Sequence, residues 1–244
     1  MIGAGIRCTL AALVFFAVGA SSLEAAPTRS VTLHTDDGVT ISGTFFEGPR
    51  RPAPAVILLH MLTRTRDDWQ AFANRLADAG IHALAIDFRG HGASSSGVLG
   101  ADGEPDLTRL ILDVQAARAF LAARTDFVRP SAIGIAGASI GANVAILEAA
   151  SDPAIRSLAL LSPGLEYRSL RADAAMRKYG SRPALLVAAT NDPYASRSIK
   201  QLAVLGGGVR EMKTLDNAGH GTTMLARDQD LARVLVDWFE RTLL

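Results

Sequence analysis

The sequence contains a single cysteine, Cys8, among its 244 residues. This cysteine lies in an N-terminal segment that we expect to be removed, so we predict a mature protein with neither a disulfide nor a thiol nucleophile. No charge of one sign dominates either, because 25 Lys and Arg nearly balance 24 Asp and Glu, and neither sign forms a long block. We therefore expect no nucleic acid as a partner. Metal-ligand spacings such as H-E-x-x-H are missing as well, so we expect no metal or organic cofactor.

The N-terminal segment lacks an apolar run of the roughly 20 residues needed to cross a bilayer. Arg7 precedes an apolar stretch over 9–18, and small residues follow as far as Ala26. This order is typical of an export signal. We predict a signal peptide over residues 1–26 and an exported protein, periplasmic or secreted, without a stable membrane span after cleavage. Three cleavage positions stay open, after Ala20, Ala25 or Ala26.

Residues 27–244 have the composition and length of a single globular domain, since 49% of the chain is apolar and 20% is charged. Short apolar runs alternate with longer amphipathic stretches, which predicts an α/β fold with a mainly parallel sheet and helices on both faces. The runs Val31–Thr35 and Val39–Phe46 instead alternate apolar and polar residues. They predict an antiparallel hairpin at the edge of the sheet.

Five or six further runs are mainly apolar rather than alternating, as expected for strands that helices cover on both faces. They are Ala55–Leu59, Ala83–Asp87, Ala132–Ala136, Ser157–Leu161, Ala184–Ala189 and, more weakly, Val209–Leu215. Helical patterns are predicted between them, near 66–79, 106–124, 140–151, 194–205 and 222–243. Only some 20 residues separate the fourth run from the fifth, which leaves room for one short helix but not for a large lid.

A serine occupies the turn between one of these strands and the next helical pattern. Residues 137–141 read Gly-Ala-Ser-Ile-Gly. A serine on such a sharp turn takes a strained backbone conformation and projects its hydroxyl above the sheet, and the flanking glycines avoid collisions with the adjacent strand and helix. The pattern predicts Ser139 as a nucleophile. The alternative is a tight turn with an incidental serine.

A serine hydroxyl needs a positioned base, and a histidine base needs an acid to orient it. His220 is the only histidine after Ser139, and the chain order nucleophile, acid, histidine predicts it as the base. Asp192 follows a predicted strand, and sites of α/β proteins assemble at the carboxyl ends of strands, so we predict it as the acid. Asp216, four residues before His220, stays open as the rival acid, with Asp173 a more distant one.

Attack on a carbonyl also requires two donors that stabilise the oxyanion. The backbone N–H of Ile140, directly after the nucleophile, is predicted as one donor. The other is expected from the loop that follows Ala55–Leu59. Within that loop the N–H of Leu62 is the first choice and that of Met61 the second.

Together these segments resemble the α/β-hydrolase superfamily, and within it the bacterial dienelactone-hydrolase-like and serine-aminopeptidase-like serine esterases. The resemblance extends from about residue 30 to the C-terminus and rests on LLHMLTRTRDDW, AIDFRGHGASS, GIAGASIGANVA, AATNDPY and NAGHG. It implies the α/β-hydrolase fold with minimal or no lid. It also implies that His91, in a loop that resembles the family's scaffold loop, is structural.

The chain departs from the family in two places. Where the family carries His-Gly, this chain has His60-Met61, and methionine adopts a positive φ only at a cost. The substitution therefore bears on the geometry of the oxyanion loop and on the width of an acyl pocket. Dienelactone hydrolase itself uses a cysteine nucleophile where this chain has Ser139. The resemblance therefore does not carry dienelactone cleavage to this chain.

These residues predict hydrolysis of a small-molecule carboxylic ester through an acyl-enzyme, without a cofactor. An ester is preferred because an alcohol leaves more readily than an amine and because no large lid is expected. A peptidase or amidase of the same fold stays open as an alternative. A non-catalytic binding protein on this fold is the third hypothesis.

Overall fold

The computed structural model describes residue 1 and residues 26–96 and 106–244. Apart from its first and last residues, the predicted signal peptide therefore lies outside the described residues. At the start of the domain, strands β1 (Thr28–His34) and β2 (Thr40–Phe46) pair antiparallel, with Thr28 opposite Phe46 and His34 opposite Thr40. The predicted edge hairpin is thus confirmed.

The remaining elements alternate between strands and helices. In chain order they are β3 (Ala53–Leu59), α1 (Gln70–Asp78), β4 (His82–Ile86), α2 (Leu110–Ala122), β5 (Val128–Ala138), α3 (Ile140–Ser151), β6 (Ile155–Leu161), β7 (Glu166–Tyr167), β8 (Leu170–Arg171), α4 (Ala172–Tyr179), β9 (Ala184–Ala189), α5 (Pro193–Leu202), β10 (Arg210–Leu215), α6 (Thr223–Arg227) and α7 (Leu231–Leu243). Two short 3₁₀ turns, Arg66–Trp69 and Leu107–Arg109, precede α1 and α2.

Eight strands form one sheet in the order β1-β2-β4-β3-β5-β6-β9-β10. The pairs β1–β2 and β2–β4 are antiparallel, and every later pair is parallel. All six predicted apolar runs lie in this sheet. The predicted α/β-hydrolase architecture, a mainly parallel sheet that begins with an antiparallel hairpin, is confirmed.

Helices cover both faces of the sheet because side chains along a strand alternate between its faces. In β3, Ile57 and Leu59 belong to the core shared with α2, α3, α4 and α5, whereas Val56 and Leu58 belong to the core shared with α1, α6 and α7. All seven residues of β3 are buried. The centre of the sheet is therefore buried on both faces, and it carries the site at the carboxyl ends of its strands.

The single helical pattern predicted over 222–243 is wrong in one respect, since the segment forms two helices. Asp228 leaves the helical conformation (φ −115°, ψ 111°). Its carboxylate accepts hydrogen bonds from the N–H groups of Asp230 and Leu231, at 3.1 and 2.8 Å, where α7 begins. Aspartate favours such local bonds over a continuous helix. The apolar face that α7 buries on the sheet places Leu231, Leu235 and Trp238 in the core.

The segment between β6 and β9 carries no large lid, as predicted. It holds the short helix α4 and the two-residue strands β7 and β8, which form a small hairpin. The buried side chain of Asn143 on α3 fixes this segment by donating to the carbonyl of Leu170 and accepting from the N–H of Gly164. None of the helices in the described part of the chain has the length and apolarity that crossing a membrane would require.

Candidate active site

Ser139 stands between β5 and α3 in a backbone conformation that is unusual for a side-chain-bearing residue (φ 53°, ψ −116°). The two flanking glycines make this turn possible. A Cβ atom on Gly137 would lie 2.3 Å from the carbonyl oxygen of Gly141, and one on Gly141 would lie 2.5 Å from the carbonyl oxygen of Leu59. Both distances are too short for a methyl group, so the turn requires glycine at both positions.

His220 bridges the serine and an aspartate. Its Nε2 lies 2.7 Å from Oγ of Ser139, and its Nδ1 lies 2.6 Å from Oδ2 of Asp192. Since a carboxylate only accepts, Nδ1 carries the proton and Nε2 is free to accept the serine proton. The other carboxylate oxygen of Asp192 accepts from the N–H of Ala195 in the first turn of α5, at 3.2 Å. The start of α5 therefore orients the carboxylate towards the imidazole.

The rival acids lie elsewhere. Oδ1 of Asp216 accepts a hydrogen bond from the Thr190 hydroxyl at 3.0 Å, and the same hydroxyl oxygen accepts from the N–H of Asn217 at 2.9 Å. Asp216 thus fastens the loop of His220 to the end of β9. Asp173 lies in the first turn of α4 and pairs with Arg171. The structure brings Asp192, and neither rival, to the imidazole.

Of the predicted oxyanion donors, one directly follows Ser139 and the other two lie in a loop that begins beside α3. Ile140 is the first residue of α3, where backbone N–H groups have no acceptor within the helix. The loop of Met61 and Leu62 begins against α3, because the Leu59 and His60 carbonyls lie where a Cβ on Gly141 would be. Whether Leu62 or Met61 supplies the second donor stays a prediction.

Methionine fits the oxyanion loop without strain at its own position. Met61 does not adopt a positive φ; Thr63, two residues later, does (φ 63°). The Met61 side chain packs towards the loop of residues 216–222 that carries His220, called the histidine loop below. Its sulfur lies 2.6 Å from the point that a Cβ on Gly221 would occupy. Methionine therefore fills space beside His220, and glycine at 221 accommodates it.

Two other histidines, His60 and His91, form hydrogen bonds with the backbone of the loop that carries Met61 and Leu62. His60 is fully buried; one ring nitrogen accepts from the N–H of Phe88 at 3.0 Å, and the other donates to the Met61 carbonyl at 2.8 Å. Burial lowers the pKa of His60 to about 4. His91 contacts the Arg89 carbonyl through Nδ1 and accepts from the N–H of Thr63 through Nε2. These contacts agree with the structural role predicted for His91.

Two residues that sequence patterns did not single out hold the histidine loop. The Ser162 hydroxyl, buried after β6, accepts from the N–H of Gly221 at 3.0 Å. Oδ1 of Asn191 accepts from the N–H of Gly219 at 2.9 Å. No local pattern marks Ser162, whereas the position of Asn191 beside Asp192 was a usable signal. Within residues 26–96 and 106–244, no group of three or more His, Cys, Asp or Glu could hold a metal ion.

Comparison with known proteins identifies a family and a fold. Residues 50–230 match the family model described as serine aminopeptidase, S33. The curated protein sequences contain no match to the chain. An esterase of Pyrococcus furiosus superposes with a TM-score of 0.73 at 20% identity, over 90% of this chain and 94% of the esterase.

Two further solved structures are similar. A dienelactone hydrolase of Anabaena variabilis gives a TM-score of 0.71 at 17% identity, over 91% of this chain and all of that one (100%). A thermostable carboxylesterase cloned from a metagenomic library gives 0.73 at 17% identity, over 91% and 90% of the two chains. At these identities the structures share the fold with this chain.

Proposed function

The chain belongs to the serine aminopeptidase S33 family of the α/β-hydrolase superfamily, and on that premise we propose that it is a serine hydrolase that cleaves carboxylic esters of small or medium-sized molecules. The observation that carries the proposal is the hydrogen-bonded chain from the Ser139 hydroxyl through His220 to Asp192, with links of 2.7 and 2.6 Å. A serine in a strained turn, with an oriented imidazole within reach, is the arrangement that acyl transfer needs.

The reaction proceeds in two halves. His220 takes the proton of Ser139 as the hydroxyl oxygen attacks the carbonyl carbon, and Asp192 stabilises the imidazolium that forms. The N–H groups of Ile140 and of Leu62 or Met61 stabilise the oxyanion. His220 then protonates the departing alcohol. Water, deprotonated by His220, attacks the acyl-enzyme, and His220 returns the proton to the Ser139 oxygen as the acid is released.

An ester is the preferred substrate for two reasons. An alcohol is a better leaving group than an amine, so an ester demands less of the site. The insertion between β6 and β9 is only a small hairpin and one short helix, which suits small substrates rather than a buried lipid chain. The Pyrococcus and metagenomic neighbours are described as an esterase and a carboxylesterase, and they support the same choice.

The family description supports a peptidase as the second candidate. Hydrolysis of p-nitrophenyl acetate and butyrate, compared with a panel of amino-acid p-nitroanilides, separates the two. We expect turnover of the short esters, little or none of the anilides, and none by Ser139→Ala. Faster cleavage of anilides would establish the peptidase. Well-folded protein inactive on both panels would favour a binding protein on this fold.

We also propose that the protein is exported to the periplasm or beyond. The proposal rests on the sequence order of Arg7, the apolar stretch 9–18 and the small residues that follow. N-terminal sequencing of protein recovered from cell fractions tests it. We expect an extracytoplasmic protein that begins after Ala20, Ala25 or Ala26, whereas a full-length chain in the cytoplasm would contradict export.

A further inference from the structure

The loop that carries His220 has an irregular backbone. Asn217, Gly219 and Gly221 all adopt positive φ, at 47°, 87° and 58°. Such a segment cannot be held by the repeating hydrogen bonds of a helix or strand. The place of the imidazole therefore depends on bonds from this loop to its neighbours.

Two of those bonds come from the carboxyl ends of β6 and β9, through Ser162 and Asn191. A third comes from the opposite side of the site. The hydroxyl of Thr222 donates to Oδ2 of Asp68, across 154 positions of sequence. Asp68 belongs to the 3₁₀ turn Arg66–Trp69, directly after the loop that carries Met61 and Leu62. This bond therefore ties the oxyanion loop to the histidine loop.

The Thr222 hydroxyl bonds to Asp68 instead of capping the helix that follows. Thr222 immediately precedes α6, where a threonine side chain commonly accepts a hydrogen bond from the helix that follows it. Here its side chain makes no such cap. Thr222 is only 5% exposed, so its hydroxyl has little access to water as a substitute partner. Removing Asp68 leaves this buried hydroxyl without its protein partner, whereas removing the hydroxyl leaves Asp68 with its bonds from Arg64 alone.

Asp68 is held in place for this contact. Its side chain is 11% exposed and takes three hydrogen bonds from the Arg64 guanidinium, between 2.6 and 3.1 Å. Burial opposes the charge of Asp68, but the hydrogen bonds from Arg64 and Thr222 outweigh it and lower the pKa of this carboxyl. The acceptor of the Thr222 hydroxyl is thus an ionised, immobilised carboxylate, and hydrogen bonds to such groups are the strong ones.

We propose that Asp68 and Thr222 are a positioning pair that sets how the histidine loop, and so His220, faces Ser139 and the oxyanion donors. The inference rests on the proposed function, because the pair acts through a catalytic His220. The side chains of both residues bond within the protein, and Thr222 lies two positions from the imidazole. Met61 packs against Gly221 and is a second contact between the two loops.

The test uses four variants and one control variant, with a short p-nitrophenyl ester as substrate. Thr222→Val removes the hydroxyl and keeps the shape, whereas Thr222→Ser keeps the hydroxyl. Asp68→Ala removes the acceptor, and a double Thr222→Val, Asp68→Ala variant completes the cycle. Asp67→Ala is the matched control and should keep wild-type kcat, since it removes an exposed carboxylate from the same 3₁₀ turn and leaves the bond between Asp68 and Thr222. Thermal unfolding checks that each variant is folded.

We expect Thr222→Val and Asp68→Ala each to lower kcat by about 10- to 100-fold, the effect of a displacement near 1 Å at a catalytic group. KM should change less than about twofold, and Thr222→Ser should recover most of the loss. The double variant should be no slower than the slower single variant, because the two substitutions remove the same hydrogen bond. If Asp68→Ala fails to fold, the Thr222→Val and Thr222→Ser pair decides alone.

The pair is refuted if wild type is active and Thr222→Val matches it in kcat. Losses that multiply in the double variant, or a rise in KM with kcat unchanged, also overturn it. Folded wild type that turns over no ester or anilide is a different outcome. It overturns the proposed function, and the positioning role falls with it.

Discussion

Replacement of Asp192 by asparagine changes the charge beside His220 and almost nothing of the shape. In the folded protein one carboxylate oxygen faces Nδ1 of His220 at 2.6 Å, and the other accepts from Ala195 at the start of α5 at 3.2 Å. An asparagine that keeps the bond to Ala195 turns its amide nitrogen towards Nδ1. Two donors then face each other, so the imidazole shifts to the tautomer that cannot accept the serine proton.

The size of the loss follows from the tautomer and the exposure. The corresponding change in a serine protease triad lowers kcat by about 10⁴-fold, or about 5.5 kcal/mol. In this chain 49% of the His220 side chain is exposed, so water screens the charge and offers the ring other partners. We therefore expect kcat to fall on the order of 10³-fold, or about 4 kcal/mol.

Asp216→Asn is the matched control. Asparagine at 216 still offers an oxygen to the Thr190 hydroxyl, so we expect kcat within about threefold of wild type. Initial rates with p-nitrophenyl butyrate give kcat and KM for both variants, and thermal unfolding checks that the cap on α5 survives. If Asp216→Asn is the more damaging change, or if Asp192→Asn keeps near wild-type kcat, the assignment of the acid is refuted.

Further substitutions test the nucleophile, the turn and the buried histidine. Ser139→Ala and His220→Ala should each lower kcat by about 10⁴- to 10⁶-fold in steady-state assays, with unfolding midpoints near that of wild type. Gly141→Ala should lower the free energy of unfolding in urea by about 1–3 kcal/mol, because its Cβ would meet a β3 carbonyl oxygen at 2.5 Å. Gly38→Ala should lower the free energy of unfolding by only about 1 kcal/mol. Its Cβ would meet open space, so the only cost is the strain of an alanine at φ 82°. His60 has a pKa of about 4 when folded, against 6.5 when unfolded. Since the unfolded chain binds the proton more readily, stability should fall as the pH drops from about 6.5 to 4, by roughly 3 kcal/mol. His60→Gln should flatten that slope in urea titrations across this range, and an unchanged slope would refute the assignment.

The continuous apolar strands could be predicted closely, because burial on both faces leaves a signal in every residue. Edges and irregular starts could not. β5 begins at Val128, four residues before the predicted run. The prediction missed this start because Arg129, Pro130 and Ser131 break the apolar pattern. Their place in the strand depends on tertiary pairing, with Val128 opposite Ala53 on β3. The break at Asp228 between α6 and α7 likewise depends on a local carboxylate bond that periodicity does not register.

In the candidate site, strand ends and chain order predicted the residues that the structure brings together. Ser139, Asp192 and His220 each stand at a position that the fold's topology predicts. Apart from Asn191, which stands beside Asp192, the groups that hold their loops could not be predicted from the sequence. Ser162 is 59 positions from its partner Gly221, and Asp68 is 154 from Thr222. Such contacts follow from the packing of distant loops, and no spacing along the chain encodes them.

Covalent labelling with a fluorophosphonate tests most directly whether Ser139 is a nucleophile that His220 activates. We predict that the folded wild-type protein forms one adduct, that mass spectrometry of its peptides places the adduct on Ser139, and that His220→Ala reacts far more slowly. An adduct at another residue, or equal labelling of wild type and Ser139→Ala, would contradict the account.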